Sequence, residues 1–138
     1  GVAGHAGLFS DAYDLAMLYQ MLLNGGEFNG ERYLKKETIN LFTSYRTKHS
    51  RRAYGFDKPE KDNAARKEPY PSFSASPATF GHTGFTGTCV WVDPTNQLVY
   101  IFLSSRVNPS RNGKNGSKLG RLNVRPNIQE AIYGAILK

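Results

Sequence analysis

Phe80-Gly81-His82-Thr83-Gly84-Phe85-Thr86-Gly87-Thr88 runs straight into Cys89-Val90-Trp91-Val92. Three glycines in seven residues are unusual for a strand interior, because glycine costs conformational entropy and offers neighbours nothing to pack against. Where a strand does carry glycine, another backbone or a ligand often comes close. His82 and the threonine hydroxyls place donors and acceptors beside that bare backbone. The stretch therefore reads as a substrate-facing edge strand that opens a hairpin. The alternative is a glycine-rich turn leading into an ordinary strand.

Working outward, Asp93-Pro94-Thr95-Asn96 is a turn signal. The run 98–103 (Leu-Val-Tyr-Ile-Phe-Leu) is rich in β-branched and aromatic residues and reads as a strand buried on both faces. Together with 89–92 it predicts an antiparallel hairpin. Residues 108–120 read as a loop. Helical spacing returns over 124–137, with Val124, Ile128, Ala131, Ile132, Ala135 and Ile136 on one side. Upstream, 57–79 reads as a long surface loop with prolines at 59, 69, 71 and 77, and 54–56 as a brief strand. Residues 36–43 predict a short helix burying Ile39, Leu41 and Phe42, and Asn29-Gly30 predicts a turn. Residues 11–24 predict a helix with Ser10 or Asp11 as its cap, an apolar stripe of Leu15, Leu18, Tyr19, Leu22 and Leu23, and Asn24-Gly25-Gly26 as its stop. The order gives an α+β class: an antiparallel sheet of about three strands flanked by helices, thin for a complete domain.

Composition narrows the function classes. The chain has 138 residues, enough for one domain at most, and contains no run of 18 apolar residues that would span a membrane. Its net charge of +7 comes from basic residues in segments read as loops. No nucleic-acid module is visible, and solvated loops account for the charge. Cys89 is the single cysteine, which excludes an internal disulfide, and His5, His49 and His82 are too scattered for a metal site. No cofactor motif is present. The opening Gly1-Val2-Ala3-Gly4-His5 lies within a small-residue loop and has no initiator Met, which reads as a piece of a longer polypeptide.

With these pieces in order, the chain resembles the C-terminal part of the serine β-lactamase and penicillin-binding protein superfamily, nearest its class C and esterase-like branch. The resemblance rests on an ordered set. Gly4-His5-Ala6-Gly7-Leu8-Phe9-Ser10 precedes Tyr13-Asp14-Leu15-Ala16. The glycine-rich stretch with His82-Thr83-Gly84 comes next, then Val92-Asp93-Pro94 and Phe102-Leu103-Ser104-Ser105-Arg106-Val107. Some similar bacterial hydrolases are fused to a glycoside hydrolase. The family builds its site from Ser-x-x-Lys, Tyr-x-Asn or Ser-x-Asn, and a Lys/His-Thr/Ser-Gly strand. Here only the third motif is present. Ser110-Arg111-Asn112 follows it instead of preceding it and is read as chance.

The resemblance implies that residues 1–138 are the C-terminal portion of one such domain, lacking the nucleophile-bearing part, and that the isolated chain does not catalyse acyl transfer. It implies roles for the third motif. His82 would be the basic residue of the site, and because an imidazole is only partly charged at neutral pH, its electrostatic help would depend on pH. Thr83 would offer a hydroxyl to a substrate carboxylate or carbonyl, and Gly84 would let substrate lie against the strand. The Phe85 amide would be one oxyanion donor. Arg106 would recognise a substrate carboxylate through its planar fork, with a plain surface charge as its other reading, and His5 would border the acyl side of the pocket, with capping or packing as its other reading. The substrate would be a small molecule or a peptidoglycan-derived compound, and the compartment periplasmic or extracytoplasmic. The missing portion of the domain is the expected partner, and self-association would be an alternative cover for exposed apolar surface. Two other functions stay open: a non-catalytic binding module of the same fold, and a basic polyanion-binding domain.

Overall fold

The computed structural model describes residues 6–108 and 118–136. The first element, α1 (Ala12–Leu23), begins where Asp11 leaves helical geometry and its Oδ1 accepts from the amides of Tyr13 (2.8 Å) and Asp14 (3.0 Å). It ends in a paired closure, with Gly26 N–H donating to Met21 O (2.9 Å) and Gly25 N–H to Leu22 O (3.0 Å). A two-residue turn at Asn29-Gly30 then joins β1 (Glu27–Phe28) to β2 (Glu31–Arg32). Both turn residues lie in the left-handed region, at φ 51° and 80°. Next comes α2 (Lys36–Thr43). It buries Ile39, but Leu41 and Phe42 stay about half exposed, contrary to the expected buried trio. The Phe42 ring instead meets Tyr54, with centroids 5.6 Å apart.

The main sheet has three antiparallel strands in the order β3 (Phe80–Thr83), β4 (Cys89–Asp93), β5 (Leu98–Phe102). Phe80 pairs with Val92 and Thr83 with Cys89; Cys89 also pairs with Phe102, and Asp93 with Leu98. The expectation of a strand at 98–103 buried on both faces is corrected here. The strand buried throughout is β4, while β5 buries only Tyr100. Position in the sheet decides this, since β4 has a neighbour on each side and β5 is an outer strand. Cys89, Trp91 and Tyr100 form the buried core, packed by Tyr70, Phe102 and Ile132. Burial pushes the Cys89 thiol up to about 11.

Two helices follow: a single turn, α3 (Lys118–Arg121), which begins inside the segment 108–120 expected to be loop throughout, and the longer α4 (Val124–Ile136). The face that α4 buries differs from the expected apolar stripe. Gln129 and Tyr133 are buried, Ile132 packs on the core, and Ile128, Ala131, Ala135 and Ile136 remain exposed. The cause is a polar anchor: the Tyr133 hydroxyl donates to Asp93 Oδ2 at 2.7 Å and fixes the helix's rotation on the sheet.

The segment 57–79 is irregular but not superficial. Asp57, Lys58, Pro59, Asn63, Pro71, Ser72, Ala75 and Thr79 are all buried. Side chains replace regular backbone pairing along it. Asn63 donates from Nδ2 to Ser72 O (2.8 Å) and accepts the Tyr70 amide (2.7 Å), and Ser74 donates twice to Glu130 (2.7 and 2.8 Å). The buried Lys58 ammonium donates to Ala78 O (3.2 Å) and Thr79 O (3.0 Å), and burial pushes it down to about 8. Residues 54–56 form a turn instead of the expected strand, with Ala53 N–H donating to Phe56 O (2.9 Å). Strand-like pairing flanks the turn, with Arg52 bridged to Asp57 and Asp57 exchanging backbone hydrogen bonds of 2.7 and 3.0 Å with Gly81. Among the described residues no helix is long and apolar enough to cross a membrane. The whole is a mixed α+β architecture.

Candidate functional site

The glycine-rich stretch is both of the things its sequence allowed. Phe80–Thr83 is a strand on the outer side of the sheet, and residues 84–87 turn back from it into β4. Gly84 N–H donates to Thr88 O (2.8 Å) and Gly87 N–H to Gly84 O (3.0 Å). Two glycines are required by geometry. A Cβ on Gly81 would collide with the Val90 carbonyl and the Trp91 ring, so β3 can lie against β4 only with glycine there. Gly87 sits at φ +101°, where a side chain would be strained and would also meet Ser104.

Register and alternation place His82 and Thr83 on opposite faces of β3. The exposed His82 ring is held at both nitrogens. Nδ1 lies 2.6 Å from Thr83 O, and Nε2 lies 3.0 Å from Arg52 Nη1. A guanidinium has only donors, so Nε2 accepts from Arg52 and the ring proton sits on Nδ1, donating to Thr83 O. Arg52 is itself paired to Asp57 Oδ1, and Asp57 is 1% exposed. The other Asp57 oxygen accepts from the Tyr70 hydroxyl (2.8 Å) and lies 3.5 Å from Arg51. Burial, reinforced by the Asp57 carboxylate, pushes the Tyr70 hydroxyl up to about 12.

On the Thr83 side, an open cleft of about 320 Å³ is lined by Thr83, Gly84, Phe85, Arg106, Leu119, Gly120 and Arg125. Arg106 is fastened to the turn: its amide donates to Thr86 O (2.7 Å), its Nε donates to Phe85 O, and its guanidinium carbon lies 4.7 Å from the centre of the exposed Phe85 ring. Arg125 reaches from the first turn of α4 towards Gly87 O (3.5 Å) and Thr88 O (3.4 Å). A second cavity of about 220 Å³ shares Thr83, Leu119, Gly120 and Arg125 with the first and runs inward to Tyr70, Trp91 and Gln129. Two cations beside a hydroxyl-bearing strand end suit an anionic group such as a carboxylate.

The structure thus brings Thr83, Gly84, Phe85 and Arg106 together and sets His82 on the other face of the same strand. His5 lies outside the described residues, as do Ser110, Arg111 and Asn112. Sequence reading missed Arg52, Asp57 and Arg125. Arg125 did carry a signal, because a cation in the first turn of a helix opposes the helix dipole and calls for another partner. Asp57 and Arg52 carried none: they sit in a charged segment, and only folding against β3 and Tyr70 shows what they meet. No group of His, Cys, Asp and Glu among the described residues could hold a metal ion.

Comparison with known proteins agrees with this architecture. The β-lactamase family model matches residues 1–123. Two similar proteins, both named "Putative D-alanyl-D-alanine carboxypeptidase", come from Salmonella enteritidis PT4, at 39% identity over 108 residues, and from Salmonella typhi, at 40% identity over 108 residues. In each case the match covers 77% of this chain and 24% of the relative, so the chain spans about a quarter of the length of the curated relatives it matches. The chain belongs to the β-lactamase family of serine-hydrolase-like proteins.

Proposed function

We propose that residues 1–138 are the C-terminal portion of one β-lactamase-like serine hydrolase domain, supplying its substrate strand while another part of the polypeptide supplies the nucleophile. No Ser-x-x-Lys and no Tyr-x-Asn occurs among the 138 residues. Covalent acyl transfer needs an activated serine, so the chain alone is inactive in this reading. The observation that carries the reading is the cleft at the end of β3, where Thr83, Gly84, Phe85, Arg106 and Arg125 meet.

In the proposed reaction the external serine attacks a substrate carbonyl, the tetrahedral intermediate breaks the scissile C–N or C–O bond and expels the amine or alcohol carrying the serine's proton, and water then hydrolyses the acyl-serine ester to release the acid and regenerate the serine. The Phe85 amide is one of two donors to the oxyanion. Thr83 offers its hydroxyl and Arg106 its guanidinium to a carboxylate on the substrate, and His82 holds the other face of the strand. A cationic cleft favours a peptide that ends in a free carboxylate, which agrees with the name borne by the Salmonella relatives. D-Amino-acid peptides are therefore the first substrate class, with β-lactams and esters behind them. A peptidoglycan-derived substrate would place the enzyme outside the cytoplasm. The reaction needs no cofactor. The exposed apolar residues of α1 and α4, among them Leu18, Ile128 and Ile136, are proposed contacts for the rest of the domain or, in its absence, for a second copy.

The full-length protein is expected to hydrolyse a D-alanyl-D-alanine-terminated peptide, and the 138-residue chain to turn over neither nitrocefin nor a p-nitrophenyl ester. Turnover by the isolated chain above a mock-purified control would refute the division of labour. In the full-length protein, Arg106→Ala is expected to raise KM for the carboxylate-terminated peptide by about 10-fold or more, the scale of one charged hydrogen bond. KM for an uncharged ester should change little. An equal change for both substrates would remove Arg106 from carboxylate recognition.

A further inference from the structure

We infer that Arg52, anchored by the buried Asp57, supplies the permanent positive charge of the His82-Thr83-Gly84 motif, and that His82 serves as its neutral acceptor. This rests on the functional reading above and adds to it a positioning residue that the motif itself does not contain.

Both ring nitrogens of His82 are already engaged. The Thr83 carbonyl takes the Nδ1 proton, and Arg52 directs a guanidinium proton at Nε2 from 3.0 Å. An imidazolium would point a second N–H at that guanidinium, setting donor against donor and cation against cation. The charge beside the ring is therefore that of Arg52, and a guanidinium does not lose its proton in any working pH range.

The anchor belongs to the same frame as the motif. Asp57 is bonded through both backbone groups to Gly81, the residue before His82, and its side chain is buried. Its carboxylate holds Arg52 on one oxygen, and Tyr70 and Arg51 on the other. Arg51 is also paired with Glu60 at 3.0 Å, which shares out the charge behind the anchor. The ionisable group against the ring is thus Arg52, with Asp57 behind it and Arg51 and Tyr70 beyond Asp57. The Arg52 side chain remains 56% exposed, so its charge is open to the solvent-facing side of the strand. A histidine acting alone would lose its electrostatic help as pH rose through the imidazole range; an arginine held by a buried carboxylate keeps it.

The test uses the full-length protein. Arg52→Ala is expected to lower kcat/KM by about 10²-fold at pH 8, the scale of one lost electrostatic contact. With the donor gone, the positive charge beside the ring is lost unless the ring itself carries it, so the variant's kcat/KM should fall from acid to alkaline pH where the wild type's stays level. Arg52→Lys should keep most of the activity and show no such fall. A uniform loss in Arg52→Ala with the wild-type pH profile would overturn the inference, as would no loss at all. Nitrogen NMR of the wild-type His82 ring gives a readout free of activity: at pH 7.5 the proton is expected on Nδ1 with Nε2 bare. A proton on Nε2 would overturn the inference even in an active enzyme. If no acyl substrate is turned over, the functional reading fails and the ring spectrum still decides the Arg52–His82 assignment.

Discussion

His82→Ala in the full-length protein is expected to lower kcat/KM by about 10²-fold, because the ring holds the end of the substrate strand and the Arg52 guanidinium in place. The fold should survive. His82 is exposed, and its two contacts, to Thr83 O and Arg52, are local. Loss of the ring releases the Thr83 carbonyl and leaves Arg52 with Asp57 alone, so both the strand end and the charge beside it lose definition. A purely structural histidine would behave otherwise, lowering the unfolding temperature while leaving the rate of the folded fraction unchanged. Measuring kcat/KM from pH 5 to 9 beside thermal unfolding separates the two. Wild-type hydrolysis by His82→Ala across that range would remove the third motif from the mechanism.

The second large effect concerns stability. Asp93 is 1% exposed and gathers three parts of the chain at the end of β4. Its carboxylate accepts from Ser76 N–H (3.2 Å) and Oγ (2.6 Å), from the amides of Thr95 (3.0 Å) and Asn96 (3.4 Å), from Asn96 Nδ2 (2.9 Å) and from the Tyr133 hydroxyl (2.7 Å). Asp93→Ala would leave the Tyr133 hydroxyl and the Ser76 donors without their acceptor in a closed interior. The expected cost is about 3 to 5 kcal/mol, read from denaturant unfolding of the full-length protein. Burial alone would raise the Asp93 carboxyl, but the hydrogen bonds from Ser76, Tyr133 and Asn96 outweigh it and hold it below the usual carboxylate value. A depressed folded value means that this stability is fully present above the unfolded carboxyl value of about 3.9 and is lost as pH falls below it towards the folded one. The wild type should therefore lose stability on acidification below about pH 4, and Asp93→Ala should show a flatter acid limb. A cost under about 1 kcal/mol would show that water satisfies these donors equally well.

Some of this architecture is legible along the chain, because the causes are near neighbours. Asp11 caps α1 through amides two and three residues away, and Asn29-Gly30 turns a hairpin by its own backbone preference. The strand at 98–102 announces itself by β-branched and aromatic content. The same local reasoning marked His82-Thr83-Gly84 as the candidate site, since glycine beside polar side chains is costly unless something comes close. What came close at Gly81 is β4, and composition alone could not distinguish a neighbouring strand from a ligand.

Other features depend on partners far away in sequence. The apolar stripe of α4 pointed to one buried face, but the Tyr133–Asp93 bond, spanning 40 residues, turned a different face inward. The segment 57–79 looked like solvated loop because its residues are polar and proline-rich. It is buried because Asn63 pairs with Tyr70 and Ser72 inside the segment while Ser74 and Ser76 reach Glu130 and Asp93 in distant elements. Arg52 met His82 across 30 residues only because Asp57 pairs with Gly81. By itself the sequence determined α1 with its Asp11 cap, α2, the hairpin of β4 and β5, α4 and the residues of the third motif, since short-range sterics and hydrogen bonding suffice for those. Tertiary structure decided which face each element buries, which cleft the strand end opens into and which charge stands beside His82, because those depend on contacts whose partners no local window contains.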